Sequence, residues 1–136
     1  MYGEHLLCRL PSGNCLVYPC AKVSEQKTPW GEMKYTLTYT TQNSQTYQYV
    51  RTHTYGGKLV ENITQGAARD LLAAALIRLD RAEFCIVLHV HDEVVADGVI
   101  GTRDIEEFER IMAEVPPWAE GLPIKVETWK GHRYKK

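Results

Sequence analysis

Two apolar runs separated by a short polar tip stand out in the second half of the chain, over residues 84–96. The runs are rich in β-branched residues, and the tip is His91-Asp92-Glu93. This pattern predicts a tight hairpin with buried strands. Burying two carboxylates and an imidazole without partners is costly. We therefore expect the tip to face something positive, either a metal ion or a basic partner.

A long amphipathic helix is predicted from about Lys58, because apolar residues then recur at steps of three and four. Its apolar face comprises Ile63, Ala67, Leu71, Leu72, Ala74, Ala75, Leu76 and Leu79. A polar stripe has the same spacing, with Lys58, Asn62, Gln65 and Arg69. The stripe can be ordinary solvated surface. Its amides can equally donate to the acceptors of the DNA minor groove, with the two cations on phosphates.

Alternating residues predict two hairpins in the N-terminal half. The first joins residues 6–10 to 15–18 through Pro11-Ser12-Gly13-Asn14, and the second joins 33–41 to 45–52 through a turn at 42–44. The polar stretch 24–32 between them is predicted to be a loop around Trp30. The tyrosines of the second hairpin can stack on bases. Cross-strand aromatic pairing in a small sheet is the favoured interpretation, because basic residues are sparse between them.

A second helix and a final strand complete the predicted fold. Thr102 is the expected N-cap, with Asp104 in the first turn, and the apolar stripe from Ile105 stops at Pro116-Pro117. Residues 123–129 are predicted to form a strand, followed by a basic tail, 130–136, which is either frayed or lies along a phosphate backbone. This order of elements predicts an α+β fold, with two helices on one face of an antiparallel sheet and additional N-terminal β-hairpins.

Composition narrows the function classes. The 136 residues are 44% hydrophobic with a net charge of −1, which is typical of a globular protein without a global basic field. Neither a membrane span nor a signal-peptide layout is evident, so a cytoplasmic protein is expected. The four cysteines Cys8, Cys15, Cys20 and Cys85 form no CxxC pair, and free, mostly buried thiols are expected rather than a zinc site.

Taken alone, the residues of the hairpin tip allow two interpretations. His89 and His91 with Asp92 can form a mononuclear iron or zinc site of two histidines and one carboxylate. The tripeptide His91-Asp92-Glu93 can also be a satisfied surface turn.

Two segments taken together resemble a known family. Residues 55–72, which include Gln65, and residues 87–95, which carry the hairpin tip, are similar to the C-terminal part of family A DNA polymerases, the DNA polymerase I type, above all those of phages and prophages. The distance between the segments agrees with the family, as does the ending in helix, strand and Trp129. The likeness covers nearly all of the chain and is most specific from Tyr55 onward.

The resemblance implies that residues 55–136 are a segment of the polymerase palm and that residues 1–54 form a β-hairpin region, within one compact domain. Asp92 would then be the motif C aspartate that binds the divalent metals of a two-Mg²⁺ site. Glu93 would be a secondary acidic group, and His91 would lie against the primer terminus. The helix would follow the primer–template minor groove through Gln65, with Asn62, Lys58 and Arg69 as further contacts. Glu61 stands where the family commonly has asparagine.

Two parts of the family's active site are not found in this sequence. They are a second metal-binding aspartate and a fingers helix whose arginine, lysine and tyrosine hold the dNTP. We therefore expect only part of a DNA-directed DNA polymerase (nucleotidyltransferase) site, inactive alone and needing a complementary polymerase chain. A split-polymerase subunit, a prophage relic and an excised domain are all compatible. The alternative is a non-catalytic DNA-binding module. An exposed apolar seam is expected to permit homo-oligomers.

Overall fold

The computed structural model describes residues 4–27, 29–99 and 101–134. The chain forms two compact units, Met1–Gly66 and Ala67–Lys136, and the boundary falls within the long helix α1, Gly56–Arg81. The described residues contain three small antiparallel sheets and two α-helices, so the α+β class and the N-terminal hairpins are confirmed. No helix in this part of the chain is long and apolar enough to cross a bilayer.

The first hairpin of the N-terminal unit has the predicted bounds. It pairs β1, Leu6–Arg9, with β2, Cys15–Tyr18. Two backbone hydrogen bonds close the turn, from Leu10 N–H to the Asn14 carbonyl at 2.7 Å and from Gly13 N–H to the Leu10 carbonyl at 2.9 Å. Gly13 has a φ of 95°, a left-handed conformation that glycine adopts without a Cβ clash. The residues of the turn are therefore enough to determine the pairing of this hairpin.

A three-stranded sheet follows, in the order β3–β4–β5. Strand β3, Lys22–Lys27, includes the first four residues of the stretch 24–32, so the predicted loop is wrong there, whereas residues 29–32 do form a loop. The polar sequence of β3 has no apolar alternation, yet it pairs along its whole length with β4, from Lys22↔Thr38 to Lys27↔Met33. Ladder hydrogen bonds satisfy its backbone regardless of side-chain type.

The hairpin of β4, Met33–Gln42, and β5, Tyr49–Thr54, has a longer turn than predicted. The Asn43 side-chain oxygen accepts hydrogen bonds from the backbone N–H groups of Gln45 and Thr46 at 2.9 and 3.0 Å. This Asx-type turn delays the return strand from the expected residue 45 to Tyr49. The register then runs from Gln42↔Tyr49 to Leu37↔Thr54.

The C-terminal unit packs around three buried residues, Leu79, Phe84 and Ile111. They come from the end of α1, the connection after it and helix α2, Ile105–Ala113. Ile86 and Ala96, which are cross-strand partners in the hairpin, pack against this core. Both helices of the unit therefore share a core with one face of the hairpin. The Phe84 and Phe108 rings stack edge-to-face with centroids 5.3 Å apart.

Two predictions for this unit are wrong. The N-cap of α2 is Asp104, whose Oδ1 accepts from Glu106 N–H, whereas the Thr102 hydroxyl donates to the Val99 carbonyl. Residues 123–129 form no strand among the described residues, although half-buried and exposed positions alternate along them. An alternating sequence becomes a strand only when a neighbouring backbone supplies the ladder.

Candidate functional site

The predicted hairpin forms, but its strand residues are all half-buried or exposed, so the prediction of buried strands is wrong. Strand β6 is Cys85–Val90 and strand β7 is Glu93–Asp97, with Val90↔Glu93 as the last pair. His91 and Asp92 therefore form a two-residue turn. His91 has a φ of 53°, and such short hairpins require a positive φ in the turn. The stiff hairpin presents the tip residues at its end.

All three tip residues, His91, Asp92 and Glu93, are exposed. The Glu93 Oε2 atom accepts a 2.6 Å hydrogen bond from the Tyr134 hydroxyl. This hydrogen bond raises the pKa of the Tyr134 phenol, because the carboxylate favours the protonated form. Sequence reasoning did not single out Tyr134, and no spacing signal links it to Glu93.

The three ligands predicted for a mononuclear metal site do not come together. His89 pairs across the hairpin with Val94, so it projects from the opposite face to Glu93, while His91 lies in the turn. Among the residues that the structure describes, no group of three His, Cys, Asp or Glu side chains is placed to hold a metal ion. The four cysteines are free thiols, but the prediction that most are buried is wrong, since Cys8 and Cys20 are half-buried and Cys15 and Cys85 are exposed. The adjacent Asp92 and Glu93 carboxylates do offer the oxygen atoms that hard divalent cations prefer.

Two of the four residues in the polar stripe of α1, Lys58 and Asn62, have side-chain partners within the chain. Lys58 Nζ contacts Glu61 Oε1 at 2.9 Å, and that hydrogen bond raises the pKa of the lysine. Asn62 is half-buried, and its Nδ2 donates to the Tyr18 hydroxyl at 3.2 Å. Gln65 and Arg69 are exposed. Of the predicted DNA contacts, Gln65 and Arg69 are therefore the most available, and Asn62 supports the internal packing.

An open cleft of about 440 Å³ adjoins this part of the helix within the N-terminal unit. Its lining residues are Leu16, Val17, Tyr18, Tyr39, Asn62, Gln65 and Gly66. The rings of Tyr18 and Tyr39 meet edge-to-face with centroids 5.1 Å apart. The prediction of cross-strand tyrosine pairs is wrong, since Tyr39 pairs with Thr52 and Tyr49 with Gln42. The aromatic pair instead joins the sheet to the first hairpin.

The described part of the basic tail is tied to the C-terminal unit. Lys130 Nζ donates to the Arg103 carbonyl at 3.3 Å, in addition to the bond between Tyr134 and Glu93. The tail therefore contacts the residue next to Asp92 instead of fraying from the fold.

Comparison with known proteins confirms the resemblance to a phage polymerase. The chain is 44% identical over 131 residues, 96% of its length, to a DNA polymerase of Bacillus phage SP02. No model of a protein family matches, and no solved structure is significantly similar. The chain spans about a fifth of the length of this relative. Nearly all of this chain is thus similar to one segment of a viral DNA polymerase.

Proposed function

We propose that this chain is the C-terminal palm segment of a family A DNA polymerase and that its hairpin carries motif C. The observation that carries the proposal is the 44% identity, over 96% of the chain, to a phage DNA polymerase. The exposed acidic turn at residues 91–93 supports it, since catalytic carboxylates must be reachable by DNA and metal. The segment contributes part of a nucleotidyl-transfer site.

Asp92 and Glu93 are the metal-binding residues of this proposal, with Asp92 as the principal ligand. When bound, Mg²⁺ would supply the positive charge that offsets the charge developing on the transferred phosphoryl group. Asp92 lies in the hairpin turn and Glu93 begins the strand after it, so the two carboxylates are neighbours in sequence at the tip, where His91 lies against the primer terminus. Two carboxylates are too few for a pair of metal ions, so further ligands and the dNTP-binding residues come from a complementary polymerase chain.

The exposed side of α1 contacts the primer–template duplex. Gln65 donates its amide to minor-groove acceptors, and Lys58 and Arg69 contact phosphates. Asn62 acts differently, because its amide already bonds the Tyr18 hydroxyl. It holds α1 against the first hairpin and so keeps Gln65 exposed beside the cleft.

The isolated chain exposes apolar side chains that a complete polymerase would cover. Val87 is 52% exposed and Leu88 is 39% exposed on the hairpin. We expect this seam to support self-association of the isolated chain. Sedimentation at increasing concentration tests it, and a Leu88→Gln variant should shift the equilibrium toward monomer. A wild-type chain that stays monomeric at high concentration would contradict the expectation.

A chimera tests the catalytic proposal. This chain replaces the matching segment of the Bacillus phage SP02 DNA polymerase, and primer extension is measured. The chimera should extend primers, whereas Asp92→Asn should lower the rate about a thousandfold, because a lost metal ligand removes several kcal/mol of transition-state stabilisation. The isolated chain should not extend primers at all.

Asp97→Asn is the matched control. Asp97 is an exposed aspartate at the other end of the same hairpin, where its Oδ1 accepts from Gly98 N–H. Asparagine can accept the same bond, so this variant should retain the activity of the chimera. Equal activities of the two variants would refute the assignment of Asp92. A folded chimera that binds primer–template but never extends it would refute the palm proposal.

A further inference from the structure

The register of the three-stranded sheet places four of its five basic residues on one face. Antiparallel partners project from the same side, so Lys22, Thr38 and His53 form a row across the three strands. Side chains alternate along a strand, so Arg51, two residues from His53, lies on this face. Lys34, four residues from Thr38, lies there as well. We call this surface the basic face.

The charge of the basic face is not offset by carboxylates on the sheet. This charge comes from Lys22, Lys34 and Arg51, which are exposed. Glu25 is the only acidic residue of the three strands, and it pairs with Tyr35 on the opposite face. Among the described residues, none of Lys22, Lys34 and Arg51 forms a salt bridge.

Arg51 is held in place across the sheet. Its Nη1 donates to the Thr38 hydroxyl and its Nη2 to the Cys20 carbonyl, both at 3.0 Å. A guanidinium has five N–H donors, so most of them stay available to an acceptor outside the sheet. Fixing the group in advance lowers the entropy lost when it binds a phosphate.

The two faces also differ in their aromatic residues. Tyr49 lies on the basic face, opposite Gln42, and is 78% exposed. Tyr39 lies on the other face, where its ring contacts Tyr18. Tyr35 shares that face and is 71% exposed. The basic face therefore combines cations with one accessible ring, the combination that binds unpaired nucleic-acid strands.

We propose that the basic face binds single-stranded DNA, with the cations on its phosphates and Tyr49 stacked on a base. Charge complementarity points to a polyanion, and an exposed ring on an open sheet can stack only on a base that is not already paired. The choice of DNA rests on the proposed function. The surface is distinct from the α1 contacts with duplex primer–template.

Matched variants of the full chain test this, with a fluorescent oligothymidylate as the probe at low salt. Lys22→Gln with Lys34→Gln should weaken binding about tenfold and lower the salt-dependence slope by about 1.4. Lys27→Gln removes a lysine from the opposite face of β3 and should change affinity less than about twofold. Tyr49→Ala should cost at least about fivefold, while Tyr35→Ala should not.

Thermal unfolding of each variant verifies that the fold is intact. Equal affinities for the lysine double variant and Lys27→Gln would overturn the proposal, as would equal affinities for the two tyrosine variants. No detectable binding by the wild-type chain at low salt would overturn it as well. Primer extension by the chimera and oligonucleotide binding by the full chain are separate measurements, so failure of the catalytic proposal and failure of this one give different results.

Discussion

The Tyr134 hydroxyl donates a 2.6 Å hydrogen bond to the carboxylate of Glu93, the residue that follows the motif C candidate Asp92. Forty-one positions separate the two in sequence. The contact occupies one carboxylate oxygen of a candidate metal ligand. It also links the described end of the chain to the proposed catalytic tip.

The Tyr134 phenol should titrate at a higher pH in the wild-type chain than in Glu93→Gln, because the carboxylate raises its pKa. The folded-state pKa lies above the unfolded value of about 10, so the stabilisation is complete below pH 10 and is lost as the pH rises through the folded pKa. Tyrosine ring NMR follows the titration, with Tyr134→Phe to assign the signal. Asp97→Asn serves as the control, and an unchanged pKa in Glu93→Gln would disprove the contact.

Asp104, not Thr102, should govern the stability of α2. Asp104→Ala removes the side chain that accepts from Glu106 N–H and should lower the urea midpoint more than Thr102→Ala does. Hydrogen bonding with Glu106 lowers the pKa of the Asp104 carboxyl. Its stabilisation is therefore present above the unfolded pKa of about 3.9 and is lost as the pH falls through the lower folded pKa.

Asp104→Asn separates the cap from the charge. Asparagine also caps helices, so this variant should keep most of the stability near neutral pH and lose the acid dependence that Asp104 contributes. Urea unfolding at several pH values measures both effects. Thr102→Ala proving more damaging than Asp104→Ala would restore the sequence-based assignment of the cap.

Leu79→Ala should lower the free energy of unfolding by about 3 kcal/mol, since the side chain is fully buried and its loss leaves a cavity. Ile77→Ala, on the same helix but 53% exposed, should cost less than about 1 kcal/mol. Urea denaturation followed by circular dichroism compares the two. Similar losses would mean that Leu79 does not occupy the centre of the core.

Gln65→Ala in the polymerase chimera should lower kcat/KM for primer–template about tenfold, because an unpaired minor-groove acceptor costs about 1–3 kcal/mol. Thr64→Ala is the control, since the Thr64 hydroxyl donates to the Val60 carbonyl of its own helix. Steady-state kinetics with varied DNA concentration measures the effect. Equal kinetics for the two variants would remove Gln65 from the proposed DNA contacts.

Local patterns predicted much of this fold correctly. The hairpin of β6 and β7 and the helix bearing Gln65 follow from short-range chemistry, whereas Glu93, expected in the tip, begins β7. A Val- and Ile-rich run around a polar turn favours two paired strands, although Val87 and Leu88 stay exposed. The same stretch also carried the resemblance to phage polymerases that the 44% identity confirmed.

The wrong predictions concern segments whose structure depends on a partner distant in sequence. Strand β3 exists because β4 pairs with it, and residues 123–129 form no strand because no described backbone pairs with them. The bond between Tyr134 and Glu93 and the basic face depend likewise on long-range placement and on register. The order of residues alone fixes which chemical groups the chain carries and which local elements can form. Which of those groups come into contact depends on the folded chain, because strand pairing and register are set by residues far apart in sequence.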